Sequence, residues 1–287
     1  NLTIKNSYIK GSSSVGGICG SFTKTGAEFS NCIFYGAVVG SYNVGGLIGT
    51  NDCSNIENCI NYGNVFGESN VGGIVGKFEA YGIDNSKNYG KITATGNSVG
   101  GIAGNAYYPI SGCVNYGDVS GNDYVGGIFG SIFWGSDVTN CGNVAKITGN
   151  NYVGGLIGDN TGLWNDTTIS NSYNTGEVIG NSKVGGLAGN ISYGGVYNSY
   201  NVGNVNGTEL VGAIIGYSGT VWGQGTVSNC YYLKTNTINN AIKGFGNSGD
   251  LENVVRDKKA GFFPIVADPS ADPSYSKLGY KNGEVDD

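Results

Sequence analysis

The sequence predicts an all-β fold: a parallel β-solenoid of about eight coils, each of three strands and about 28 residues. Three observations predict it. The phrase Val-Gly-Gly-(Ile/Leu)-x-Gly begins at Val15, Val44, Val71, Val99, Val125, Val153, Val184 and Val211, the last with Ala213 for the second glycine. The copies stand 26 to 31 residues apart, a fixed period in which each unit buries its apolar face against its neighbours. Between copies, short β-branched runs alternate with Gly, Asn and Ser, which are strand and turn signals, and no 3.6-residue period survives.

The unit beginning at Val71 shows each element in order. Val71 to Gly76 form the first strand, Lys77 to Gly82 a turn, Ile83 to Lys87 a second strand, and the segment around Ile92 a third. Gly96-Asn97-Ser98 then turn the chain into Val99. Right-handed winding follows the general rule for parallel crossovers. The glycine doublets do not read as phosphate loops, because no Gly-Lys-Ser/Thr follows them. Glycine within a strand marks close backbone approach or a bulge.

The second strand carries a ladder. Ser7, Cys32, Cys59, Ser86, Cys113, Cys141, Ser172, Ser199 and Cys230 occupy one place in successive units, preceded by Asn at every unit except at Gly112. Cys here reads as a small buried side chain interchangeable with Ser. Neighbours stacked at the ~4.8 Å strand spacing are too far apart for the ~3.8 Å Cβ separation of a disulfide, so free thiols are expected. Cys19 reads as core and Cys53 as a turn residue. The Asn column reads as side chains that stack and satisfy turn backbone.

Composition narrows function. The chain has 54 Gly among 287 residues, 13% charged residues and a net charge of -6. That surface has no footprint for nucleic acid, and no apolar run is long enough to span a bilayer. There is no His, which excludes Ser-His-Asp triads, Cys-His pairs and His-ligated zinc. No metal or cofactor site is expected. The carboxylates scatter over turns in this reading, with Asp118 and Glu177 alone sharing a register, two coils apart. Two carboxylates suffice for glycoside hydrolysis, so a carbohydrate-active enzyme remains an alternative.

The feature that stands out from the repeat is aromatic. Trp134, Trp164 and Trp222 all fall in the turn after the first strand, with Tyr107, Tyr108, Phe133 and Tyr193. Phe22, Phe78 and Tyr81 fall there too. Variable aromatic loops on a rigid scaffold suit binding of a glycan or partner protein. Rings that fold down over the corner of the rod are the competing reading. Tyr35, Tyr62, Tyr89 and Tyr116 form a second column, which reads as stacking.

The Val-Gly-Gly-Leu-Ile-Gly, Asn-Cys/Ser-Tyr-Asn and Gly-x-Val-x-Gly phrases together resemble the GLUG motif repeat over about residues 1–235. Such repeats occur in bacterial secreted and surface proteins, including adhesin-like proteins and the non-catalytic regions of some immunoglobulin A proteases. The resemblance implies an extracellular, cell-surface or secreted scaffold that presents flanking domains or binds a host glycan or host protein. It does not imply proteolysis, since those proteases use a His-Glu-x-x-His zinc site.

Two parts follow: repeats over 1–235, and a capping segment and linker over 236–287. Asp250 to Lys259 is the one stretch expected to be helical, with acids early and bases late. Asp268 to Ser274 reads as a linker. The start at Asn1 reads as a cut within a longer protein.

Overall fold

The computed structural model describes residues 1–23, 28–160, 167–218, 226–232, 254–256, 280–281 and 284–285. It is a solenoid of stacked parallel strands: three eight-stranded sheets and one sixteen-stranded sheet run along its length. Among the described residues every element is a β-strand.

The repeat phrase sets the register. Val15 pairs with Val44 and Val44 with Val71. The valine column continues unbroken through Val99, Val125, Val153 and Val184 to Val211. Parallel columns of Leu, Ile and Val from the other sheets meet these valines in one continuous core. Each coil thus buries its apolar face on the coil before and after it, the condition that a repeat of this period predicts.

Two of the three expected strands are each broken in two, so a coil holds five. In the coil of Val71 they are Ser69–Gly72, Val75–Phe78, Ile83–Asp84, Lys87–Asn88 and Ile92–Ala94. The first break lies inside the Val-Gly-Gly phrase, where the chain turns tightly. A Cβ on Gly72 would lie 2.1 Å from the carbonyl oxygen of Val75, and one on Gly73 2.1 Å from that of Gly101. Only glycine fits that approach.

The second break lies at the Asn that precedes the Cys/Ser ladder. Asn31, Asn58, Asn85, Asn140, Asn171, Asn198 and Asn229 all have φ between 47° and 54°, and Gly112 has φ 65°. This column is therefore a left-handed corner. Asn is the non-glycine residue best suited to it, and Gly is its natural substitute.

The ladder next to that corner explains why Cys and Ser exchange there. The N–H of Cys59 donates to Ser86 Oγ at 3.1 Å, that of Ser86 to Cys113 Sγ at 3.3 Å, and that of Cys141 to Ser172 Oγ at 3.0 Å. Each ladder side chain also donates to the carbonyl two residues earlier, as Ser86 Oγ does to Asp84 at 3.0 Å. The position requires a small group that both accepts and donates. All seven cysteines are free. Burial pushes the Cys59 and Cys230 thiols up to about 12.

The sequence reading did not single out a second asparagine column, which runs through the interior. Asn61, Asn88, Asn115, Asn143, Asn174 and Asn201 are almost wholly buried. The Nδ2 of each donates to the Oδ1 of the next over 2.7–2.8 Å. Each Nδ2 also donates to the carbonyl two residues on, from Gly63 at 2.8 Å to Gly203 at 3.0 Å. The ladder satisfies the backbone of the bend before the fifth strand, where an unpaired buried group would be costly. Phe34 stands in register at one end and Tyr232 at the other. Where Phe34 replaces Asn, Cys32–Val39 runs as one uninterrupted strand.

Two expectations about the ends are corrected. Ser7 does not join the Cys/Ser ladder: Leu2 pairs with Cys32 and Ser7 with Gly36. The cause is spacing. Ser7 lies eight residues before Val15, whereas Cys32 lies twelve before Val44. Within the segment expected to be helical, Val254–Arg256 form a strand on Cys230–Tyr232. The open sheet edge offers hydrogen bonds to two β-branched residues that favour strand.

Candidate aromatic binding site

The turn after the second strand of each coil holds the candidate site. Backbone pairing continues one residue past that strand: Glu79 N–H donates to Asn51 O at 2.8 Å, Tyr107 N–H to Phe78 O at 3.1 Å, and Phe133 N–H to Ala106 O at 3.2 Å. Asp52, Glu79, Tyr107 and Phe133 thereby form one column along the rod, and Cys53, Ala80, Tyr108 and Trp134 the next. Phe78, one position earlier, points inward and is wholly buried. It belongs to the core and not to this surface.

The rings meet on three successive coils. Tyr107 and Phe133 stack at 5.7 Å with 17° between their planes. Tyr81 and Tyr108 lie 6.5 Å apart. Trp134 is 57% exposed, Phe133 45% and Tyr108 43%, so these rings do not fold down into cover for the corner. Glu79, Tyr107, Tyr108, Pro109, Trp134 and Gly135 line a cavity of about 430 Å³, within the ordinary range for small-ligand sites. Ser136 Oγ donates to the Trp134 carbonyl at 2.8 Å, and Ser136 N–H donates to Thr167 Oγ1 on the next coil. This fixes the backbone that carries the indole.

One wall is charged. Lys77 Nζ lies 2.9 Å from Glu79 Oε1, and that bond is the main cause of the raised Lys77 pKa. Asp52, one coil back, has its carboxyl raised by burial and then by the nearby Glu79 charge. The reading that only Asp118 and Glu177 share a register is therefore corrected. Asp52 and Glu79 stand eight residues after Val44 and Val71, a constant offset that locates them in one column. Glu57 and Asp84 are also paired directly. Asp118 and Glu177 do share their column, with Lys146 between them bonding to Glu177 at 3.0 Å.

Of the residues proposed from sequence, Tyr107, Tyr108, Phe133 and Trp134 come together. Tyr193 does not join them. It sits further along the rod, half-buried, and its carbonyl accepts from Asn160 Nδ2 at 3.1 Å. Trp164 and Trp222 lie outside the described residues. The second tyrosine column is a stack: Tyr35, Tyr62, Tyr89 and Tyr116 follow one another at 4.6–4.9 Å with planes within 10°.

Residues 149–179, which span parts of two consecutive coils, match the family model described as the GLUG motif. The remaining repeats stack in register with them. A crystal structure described as that of a "putative immunoglobulin A1 protease" from Bacteroides ovatus is 19% identical, with a TM-score of 0.44. That match covers 81% of this chain and 76% of the other. No curated protein matches this chain.

Proposed function

We propose that this chain is a non-catalytic, extracellular repeat module of a bacterial surface or secreted protein that binds a glycan through its aromatic turns. A host protein is the alternative ligand. The carrying observation is the exposed Trp134 beside Tyr107 and Tyr108 over a cavity of about 430 Å³. An exposed indole on a fixed backbone offers a flat apolar face to a sugar ring at little entropic cost. The GLUG motif and its family's setting support the extracellular placement.

Asp52 and Glu79 favour a second reading, a carbohydrate-active enzyme. Their geometry argues for binding instead. Glycosidase carboxyls stand ~5 Å or more apart across the scissile bond. Of the two only Glu79 lines the cavity, Asp52 stands in its column one coil back on the same side, and Lys77 holds Glu79 at 2.9 Å, so no pair of carboxyls faces across the cavity.

A glycan-array screen of the chain beside its Trp134→Ala/Trp164→Ala variant tests the proposal. Binding that is lost in the variant, with the β-sheet circular dichroism unchanged, supports it. Binding retained by the variant removes the site assignment. Silence from both favours a spacer, and release of shortened glycan that stops in Glu79→Gln favours the enzyme.

A further inference from the structure

The charge around the aromatic cavity has a consequence for its ligand. The turns after the second strands, taken with the strand ends that flank them over residues 52–57, 77–84, 105–111 and 133–138, carry five acids, Asp52, Glu57, Glu79, Asp84 and Asp137, against the single base Lys77. Glu79 lines the cavity itself. Asp52 shares its column, and Asp84 and Glu57 are paired on the same two coils. Lys77 is committed to Glu79 at 2.9 Å, so its charge neutralises a wall carboxylate and is not offered to a ligand.

We infer that the site discriminates by charge: it takes a neutral or amine-bearing sugar and rejects sugars carrying carboxylate or sulfate. The inference rests on the glycan reading for its ligand class and on electrostatics for its selectivity. Neutral hydroxyls donate to the Glu79 carboxylate oxygen that Lys77 leaves free, rings stack on Trp134 and Tyr108, and Asp52 one coil back adds negative charge behind Glu79. An amine adds attraction to the carboxylates and to the ring faces. An anionic substituent meets like charge, and among the described residues of these turns the one base, Lys77, is already paired with Glu79; like-charge juxtaposition is among the costlier errors in recognition. The effect is strongest at low ionic strength and fades as the Debye length falls to about 3 Å in 1 M salt.

Two measurements test this, and they separate its failure from that of the glycan reading. The first titrates the unmodified chain with a neutral N-acetylhexosamine oligomer found on the array and with its sulfated counterpart. The sulfated form is expected to bind at least tenfold more weakly in 50 mM salt, with the gap closing in 1 M salt and in Asp52→Asn/Glu79→Gln. Equal binding that still depends on Trp134 overturns the inference and leaves the glycan reading standing.

The second needs no sugar. In a Trp164→Phe/Trp222→Phe variant, quenching of Trp134 by caesium and by iodide is compared, each scaled to free N-acetyltryptophanamide. Caesium is expected to quench severalfold better than iodide. Iodide quenching as efficient as caesium overturns the charge selectivity whatever the ligand. Caesium preference with no sugar bound retains the selectivity and rejects the glycan.

Discussion

The Nδ2 of Asn88 lies 2.8 Å from the Oδ1 of Asn115 on the next coil, and neither side chain touches solvent. The same amide donates to Gly90 O at 2.9 Å, and its oxygen accepts from Gly90 N–H. One side chain thus ties two coils together and completes the backbone of a bend within the rod.

Asn88→Ala is expected to lower stability by about 2–5 kcal/mol, because the N–H and C=O of Gly90 lose their partners inside the rod. Asn88→Asp should be at least as damaging, since a carboxylate cannot donate to Gly90 O or to Asn115 Oδ1. Urea midpoints compared with the parent chain measure both. A loss under about 0.5 kcal/mol for Asn88→Ala, below the cost of one unpaired buried group, would contradict the role given to the ladder.

The buried thiols predict alkaline sensitivity. Burial raises Cys59 and Cys230 from 9.0 to about 12, so folding favours the protonated form. That contribution is complete below the ordinary thiol pKa and is lost as pH rises from about 9 through 12, at up to roughly 1.4 kcal/mol per pH unit for each thiol. Cys59→Ser with Cys230→Ser places the residue found at Ser86 and Ser199 and should flatten the melting temperature between pH 9 and 11 relative to the parent. Native Cys59 should also resist alkylation at pH 8.

The corner at the start of the coil is strained in its later copies. Asn43 and Asn70 hold φ near 52° there, but Tyr124, Tyr152, Lys183 and Leu210 hold φ of 52–59° with large side chains. Leu210→Asn should therefore raise stability by about 1 kcal/mol. At the other corner, Asn140→Gly should be near neutral, as Gly112 already stands there, while Asn140→Val should be clearly destabilising.

Much of this was legible in the sequence because a solenoid repeats its physics every coil. The spacing of the Val-Gly-Gly phrase gives the register of all eight valines, and the Cys/Ser alternation announces a small buried ladder. The five-strand coil was less legible, because its breaks come from φ at Asn85 and from backbone contact at Gly73, neither of which periodicity reveals. The interior Asn61-to-Asn201 ladder was present as the Asn of Asn-Tyr-Gly at Asn61, Asn88 and Asn115 and of the matching phrases at Asn143, Asn174 and Asn201. It reads as ordinary turn chemistry until burial shows that the amides face inward. Half of the candidate site was visible in Tyr107, Tyr108, Phe133 and Trp134. The acidic wall was missed because Asp52 and Glu79 differ in type from Tyr107 and Phe133, although all four stand eight residues after their valines.

Trp134→Ala and Gly73→Ala should separate surface from frame. Trp134 is 57% exposed, so its removal should leave the melting temperature within about 2 °C. A Cβ at Gly73 would lie 2.1 Å from the Gly101 carbonyl oxygen, so that single methyl should cost several kcal/mol or prevent folding.

The most direct test of the binding account follows the indole N–H resonances of ¹⁵N-labelled chain while a sugar taken from the array is added, with Trp134→Phe used to assign the peak. The account predicts that the Trp134 resonance shifts and saturates with the sugar while the amides of the buried strands stay in place. A Trp134 resonance that does not move while the sugar binds would contradict it.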